Sequence, residues 1–396
     1  MIPSYREKYN AQFTPENYRQ FLSNLYEEAG YHIEFRIAES PIFVPKNFEQ
    51  QLITAGNEIL NIVTSKEYYA ASERAIPTNL KVPNEDPRPY TIAIDFAVCQ
   101  NEKGELSPQL IEMQAFPSLF GYQHWLAGKY RQFFWVPENV SHLFNGLTNG
   151  TYVQRIREWI VAGENPENVV LLEIEPEKQK TRVDFELTKK MLGIDYVCIS
   201  KVIREGRNLY YEKEGRKIPI KRIYNRVIFD EFVKRTDLKC QFNLTEDVDV
   251  TWTVHPNWFF RISKFSMPFI NSPYVPQTRF LNEVKTIPSD LENYVLKPLF
   301  SFSGHGVIFD VKQEDIETIK DPENFILQKK VQYAPVIQSP TGLVKAEIRL
   351  LYVWLPNEPA PMLTINLVRL SKGKMIGVDY NKDLDWVGGS VGFYER

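Results

Sequence analysis

Lys297 closes the short apolar run YVLKP, and a Ser/Gly turn, SFSGHG, leads from it into a second apolar run, VIFD. A lysine at a strand mouth ahead of such a turn can hold a polyphosphate, because turn N–H groups bind oxygens while the ammonium neutralises charge. Ser303, Gly304, His305 and Gly306 would form that turn, with His305 read as facing water. The same pattern also describes an ordinary hairpin with a solvated lysine, since Gly-x-Gly is a weak signal and no GxxxxGKS loop is present.

Three later segments, NFILQKKV, KAEIRLLYV and INLVRL, place Gln328, Lys329, Glu347, Arg349 and Arg369 on successive strands, expected to share one sheet with one face lining a cleft. Lysines and arginines gathered around a triphosphate suit phosphoryl transfer, where catalysis is mostly positioning and charge neutralisation. Taken singly, a pair such as Glu347 and Arg349 also reads as a surface ion pair of little worth.

A triphosphate site needs a hard divalent cation, which takes a few carboxylate or amide oxygens and keeps several waters. Asp95 in TIAIDFAVCQ, with Glu112 and Gln114 in QLIEMQAF, is the candidate set for Mg²⁺, because alternate strand residues share a face. Their flanks are apolar, so a cation would offset the cost of burying carboxylates. The alternative is that Asp95 caps a turn and Glu112 stands exposed. After the run RIY, the polar cluster Asn225, Arg226, Asp230 and Glu231 is either a structural strand end or a holder of a substrate carboxylate through Arg226.

The elements that must position these groups point to an α/β chain. Residues 14–30 carry a Thr cap, Pro at the first helical position, a closing Gly and apolar residues at helical spacing; residues 47–64 repeat that period. The two helices are expected to pack together as a helical preface. Residues 91–116 read as a hairpin, and residues 168–200 read strand, helix, strand, a parallel βαβ unit. An edge hairpin over 204–220, an apolar strand running into the polar cluster at 225–231, a Pro-rich connection over 267–280 and a helix near 313–320 complete the expectation.

Composition narrows the function. The 396 residues carry 47 Lys+Arg against 50 Asp+Glu, a net charge of −3 that gives no global field for nucleic acid. Cys99, Cys198 and Cys240 form no CxxC, and His32, His124, His142, His255 and His305 are scattered without metal-ligand spacing, which argues against zinc chemistry. The N-terminus lacks a signal-peptide pattern and no run of about 18 apolar residues occurs, so a soluble, cytoplasmic protein with no membrane partner is expected. The 25 Phe, 21 Tyr and 7 Trp are read as large mixed cores.

The set KP-x(5)-GHG, LQKKV, EIRLLYV and NLVRL resembles the ATP-grasp family, and DFAVCQ with LIEMQ resembles its metal motif. In ordinary members that motif follows the arginines; here it precedes them, an order similar to the circularly permuted ATP-grasp group, the glutathionylspermidine synthetase-like proteins. FRIAESPIFVPKNF, LLEIEPEKQKTRVDF, RIYNRVIFDEF and GGSVGF extend the likeness beyond residue 35. The resemblance implies an ATP-grasp core with a helical N-terminal region over 1–90, a metal-motif part over 91–160, a βαβ unit over 161–285 and an ATP-binding subdomain over 286–396. It implies ATP and Mg²⁺ as cofactors. Lys264 and Lys297 would lie on phosphates, backbone groups of Gln328 to Val331, Lys329 among them, on adenine, and Arg349 and Arg369 on the transferring group. The implied activity joins a carboxylate to an amine, on small-molecule or peptide substrates, through an acyl phosphate. A non-catalytic ATP-binding module and a phosphotransferase to a non-carboxylate acceptor are the alternatives. Two positions depart from the family pattern: Gln114 replaces Asn, and AFPSL replaces a Gly-rich segment.

Overall fold

The structure, a computed structural model, describes the 396-residue chain apart from residues 302–304, 374–375, 377–380 and 382 and the side chain of Asp230. Helices α1 (Pro3–Gln12), α2 (Pro15–Ala29) and α3 (Lys46–Val63) lead to the hairpin β1 (Thr91–Gln100) and β2 (Leu106–Gln114). Helices α4 (Phe120–Phe133) and α5 (Asn149–Ile160) follow. Next come β3 (Val169–Glu173), α6 (Arg182–Leu192), β4 (Asp195–Cys198), β5 (Arg222–Asn225) and the short α7 (Phe229–Lys234). Strands β6 (Thr278–Phe280), β7 (Tyr294–Pro298), β8 (Phe325–Lys329), β9 (Gly342–Val353) and β10 (Met362–Ser371) complete the set needed for the site.

The early hairpin and the late long strands form one antiparallel sheet in the order Gly388–Ser390, β10, β9, β1, β2. Pairing joins residues some 250 apart in sequence: Arg349 lies opposite Asp95 and Glu347 opposite Ala97. A second, parallel sheet runs Thr251–Trp252, β5, β3, β4, with α6 as the crossover from β3 to β4, the βαβ geometry expected of residues 168–200. A third, small antiparallel sheet, β6–β8–β7, packs Leu281, Leu296, Val311 and Leu327 into a core of its own. Segment 286–396 thus contributes strands to three sheets, the central one, the small one and the one that pairs Gly392–Glu395 with Ile42–Val44.

Local sequence explains most of these elements. Thr14 accepts a hydrogen bond from the Asn17 N–H, Pro15 opens α2, and Gly30 at φ 79° closes it in the left-handed region. Phe48, Leu52, Ile59 and Val63 give α3 its buried stripe. The helices α2 and α3 do not form the expected joint preface: α2 packs on α4, whereas α3 packs on β2, because each apolar face has a larger partner than the other helix. Strands Ile203–Glu205, Asn208–Lys213 and Arg216–Ile220 make a separate meander rather than an edge of the parallel sheet. After Asn225 the apolar run turns into α7 and not into more strand. The expected helix near 313–320 stops at Glu317.

The chain ends meet, since Ile42–Val44 pairs in parallel with Gly392–Glu395, which also pairs with Val140–Ser141. Among the described residues no helix is long and apolar enough to cross a membrane.

Gly56 marks the tightest contact of α3 with the central sheet, because a Cβ there would run into the hydroxyl of buried Tyr352. On an exposed helix Gly→Ala stabilises by about 1 kcal/mol. Here overpacking reverses the sign, and Gly56→Ala is expected to lower unfolding stability by about 1–3 kcal/mol in urea titration. A stabilised variant would show that α3 does not press on Tyr352.

Candidate functional site

The face of the central sheet that carries Asp95 is a cluster of charges. Arg349 grips Asp95 in a fork, Nε to Oδ1 and Nη2 to Oδ2 at 2.5 Å each, and both side chains are buried. Glu112 is the β2 partner of Asp95 and lies 4.0 Å from Arg349 Nη2. On the other flank, β10 sets Arg369 opposite Glu347, with Nη1 2.6 Å from Oε1 and 3.6 Å from Asp95 Oδ2. Tyr333 donates its hydroxyl to Glu347 Oε2 at 2.8 Å. Gln114 is satisfied with its amide oxygen turned to Arg349, 3.1 Å from Nη1 and 3.2 Å from Nη2.

Two lysines reach this cluster from outside the sheet. Lys297, at the end of β7, donates to Ile111 O on β2 at 3.0 Å. Lys264, held on a 3₁₀ turn behind the Ser263 cap, donates to Ser301 O at 2.5 Å and lies 3.6 Å from Glu112 Oε2. The early ribbon and the late lysine strand therefore face each other. The cluster holds four cations, Lys264, Lys297, Arg349 and Arg369, against three carboxylates, Asp95, Glu112 and Glu347.

Its electrostatics follow from burial and that excess. Burial alone would raise the Glu112 carboxyl, but Lys264, Lys297, Arg349 and Arg369 outweigh it and hold it at about 2. Burial lowers the Lys297 ammonium to about 8 against the pull of Glu112. Burial also raises the Glu347 carboxyl despite Arg369. Glu112 is 32% exposed and Asp95 1%, so Glu112 is the carboxylate a ligand can reach directly.

The expected sheet partners divide: Gln328 and Lys329 lie on β8 of the small sheet, whereas Glu347, Arg349 and Arg369 lie on the central one. The single-sheet expectation fails because β8 is claimed on both edges by β6 and β7. Between the two sheets a cavity of about 340 Å³ is lined by Lys329, Lys330, Val331, Tyr333, Lys345 and Phe309, among others. Gln328 turns away from it, its Nε2 3.8 Å from Met267 Sδ and its buried Oε1 without a partner. His305 and Gly306 are exposed, and Gly306 at φ 72° takes the left-handed turn that brings Ile308 back onto Leu296. Ser303 and Gly304 lie outside the described residues.

Asn225 and Arg226 stand at the carboxyl end of the parallel sheet. Arg226 donates to Phe116 O at 2.7 Å and Pro117 O at 3.3 Å, in the loop that leaves β2, and has no carboxylate partner among the described residues. Asn225 accepts from Val227 N, and its Nδ2 is buried without a partner. Asp230 lies on α7, its side chain outside the description. Sequence reasoning gave no role to Tyr333 or to Glu173. Tyr333 follows QKKVQ in a stretch without period; Glu173 ends β3 as a buried carboxyl raised to about 8 by burial, with Arg226 opposing.

The donor set Asp95, Glu112 and Gln114 consists of hard oxygens on adjacent strands. Among the described residues no group of three His, Cys, Asp or Glu side chains is arranged to hold a metal. A cation that completes its shell with water and phosphate fits such a sparse set, whereas a cation held by protein alone does not.

No family model and no curated protein matches the chain. Among solved structures, the chain is similar to a glutathione synthetase like-effector from Globodera pallida in apo form, at a TM-score of 0.61 and 10% sequence identity over 96% of each chain. At that identity the likeness shows the fold alone: a mixed α/β architecture with a distant ATP-grasp-fold neighbour.

A lysine whose buried ammonium is lowered to about 8 destabilises the protein while it stays charged. Between about pH 8 and its ordinary value of 10.5 the unfolded chain binds more protons than the native one, so this penalty fades as pH rises. Lys297→Met is therefore expected to be more stable than wild type at neutral pH by about 1–3 kcal/mol, with the gap closing toward pH 10.5. Urea unfolding across that range tests it; a gap that is absent or does not change with pH would contradict the assignment.

Proposed function

We propose that the chain is an ATP-dependent ligase that joins a carboxylate to an amine through an acyl phosphate, on an ATP-grasp fold in circularly permuted order. The observation that carries this reading is the meeting of Lys264, Lys297, Arg349 and Arg369 around Glu112, beside a cavity enclosed by two sheets. The mixed fold shared with the glutathione synthetase like-effector supports it.

In this reading Lys264 and Lys297 bind phosphate oxygens, and the backbone of residues 329–331 lines the space for a flat ring beside Phe309 and Tyr333. Arg349, buried, and Arg369, partly exposed, face the group in transfer and stabilise its charge. Oxygens of Asp95, Glu112 and Gln114 would hold Mg²⁺, which when bound neutralises phosphate charge. Arg226, whose guanidinium donates to Phe116 O and Pro117 O, would position the substrate carboxylate at the parallel-sheet edge. Tyr333 keeps Glu347 oriented on Arg369. The fork of Arg349 on Asp95 favours one other reading, a nucleotide-binding module without a ligase step. ADP release separates the two.

Lys297→Met, which the preceding argument expects to fold, should lose MgATP affinity by at least about tenfold in calorimetry, as expected for one charge-assisted contact. Unchanged affinity removes Lys297 from the site. A screen of ADP release over mixtures of amino acids, peptides and polyamines should find an acid and amine pair for the wild type, and Glu112→Ala should abolish that release. Full activity in Glu112→Ala would end the metal role, and MgATP binding without ADP release in any mixture would favour the module.

A further inference from the structure

A cleft of about 820 Å³ lies between α4, α5, α6 and the strand Val140–Ser141, and none of its lining residues belongs to the central charge cluster. Helical spacing builds its walls. Gly121, His124, Trp125 and Gly128 recur along one face of α4, and Leu187, Lys190 and Met191 along one face of α6. The result is an apolar floor with a basic rim. Its volume is that of a small-molecule site.

Three cations in this rim are hydrogen-bonded to neutral acceptors. Arg131 donates to Pro137 O and Val140 O, Lys190 to Glu28 O and Arg396 to Ser141 Oγ. All three line the cleft, and none forms an ion pair among the described residues; Lys129, by contrast, is paired with Glu28. Of the lining side chains Glu138 alone is acidic.

The two histidines that sequence spacing left scattered meet here, His124 Nδ1 being 3.2 Å from His142 Nε2. Burial lowers both, and nearby His124, Arg131 and Arg396 help to hold His142 at about 3. The pair is thus neutral near pH 7, one ring donating to the other. Metal binding by the pair is disfavoured, because two guanidiniums stand close and no third ligand completes a set among the described residues.

We propose that this cleft binds a metabolite-sized organic anion, its phosphate or carboxylate head held by Arg131, Lys190, Arg396 and the His124–His142 edge, its apolar body lying on Trp125 and Met191. Guanidinium N–H groups left over from the backbone contacts supply forked donors for such a head, and the neutral imidazoles add polar contacts without adding charge. The site stands independently of the ligase reading.

The test is titration of the full chain with phenyl phosphate and, separately, phenylacetate, with uncharged benzyl alcohol as control, followed by calorimetry and by imidazole resonances of His124 and His142. Saturable binding with Kd below about 1 mM is expected for at least one anion, and the stronger of the two identifies the head group. Arg396→Gln and Lys190→Gln, both at exposed positions, should each weaken it by about tenfold. Saturable binding that weakens in both variants, with the imidazole resonances shifting, supports the site. No saturation by either anion, saturation by benzyl alcohol, or unchanged affinity in either variant overturns it.

Discussion

Everything at the centre of this fold rests on one cross-strand ion pair, Arg349 with Asp95. Both groups are out of water; without Arg349 the Asp95 carboxylate keeps only Arg369 at 3.6 Å, and without Asp95 the guanidinium keeps only Glu112 at 4.0 Å, so removal of either partner leaves a buried charge with weaker compensation. The pairing also fixes register. Arg349 lies opposite Asp95, and the neighbouring pairings set Arg369 opposite Glu347 and Glu112 opposite Asp95. Because side chains alternate, a slip of one residue would send the whole set to the other face, into apolar surroundings. The irregularity between Asp95 and Phe96 changes the pairing with β2 where the carboxylates converge.

The small sheet and a 3₁₀ turn add what the central sheet lacks. Lys297 and Lys264 come from elements that the central sheet does not hydrogen-bond as strands, and they turn a set of two arginines against three carboxylates into one with a positive excess. A net charge of −3 for the chain says nothing about this, because the field is local and made by burial. Glu112 stays ionised and Lys297 is held near 8 for related reasons: several cations compete for few carboxylates in a space with little water.

Much of this was legible in residue order. The caps of α2, the stripe of α3, the hairpin over 91–116 and the βαβ unit each depend on contacts within a few dozen residues, which period and turn chemistry report. What failed was partner choice. An apolar strand such as β8 reads alike whichever sheet receives it, and in the small sheet its Leu327 packs with Leu281, Leu296 and Val311, which show no shared period with it. The meeting of Ile42–Val44 with Gly392–Glu395 left no local trace for the same reason. Among the candidate site residues, charged ones with apolar flanks stood out. Tyr333 and Glu173 did not, since a tyrosine in an irregular stretch and a glutamate at a strand end have many innocent uses.

The Arg349–Asp95 pair also bears on how the proposed site would load. If a polyanion drew Arg349 from Asp95, the buried carboxylate would keep only Arg369, 3.6 Å away, and part of the gain from the new contact would be lost. Asp95, Glu112 and Gln114 would be the residues to hold a hard cation, and its charge would offset that loss. Polyanion and cation would then be coupled ligands, each binding better in the presence of the other with equal effect in both directions. In this account the ion pair keeps the carboxylates ordered while both are absent, and the proposed metal ligands are engaged by an arginine for that reason.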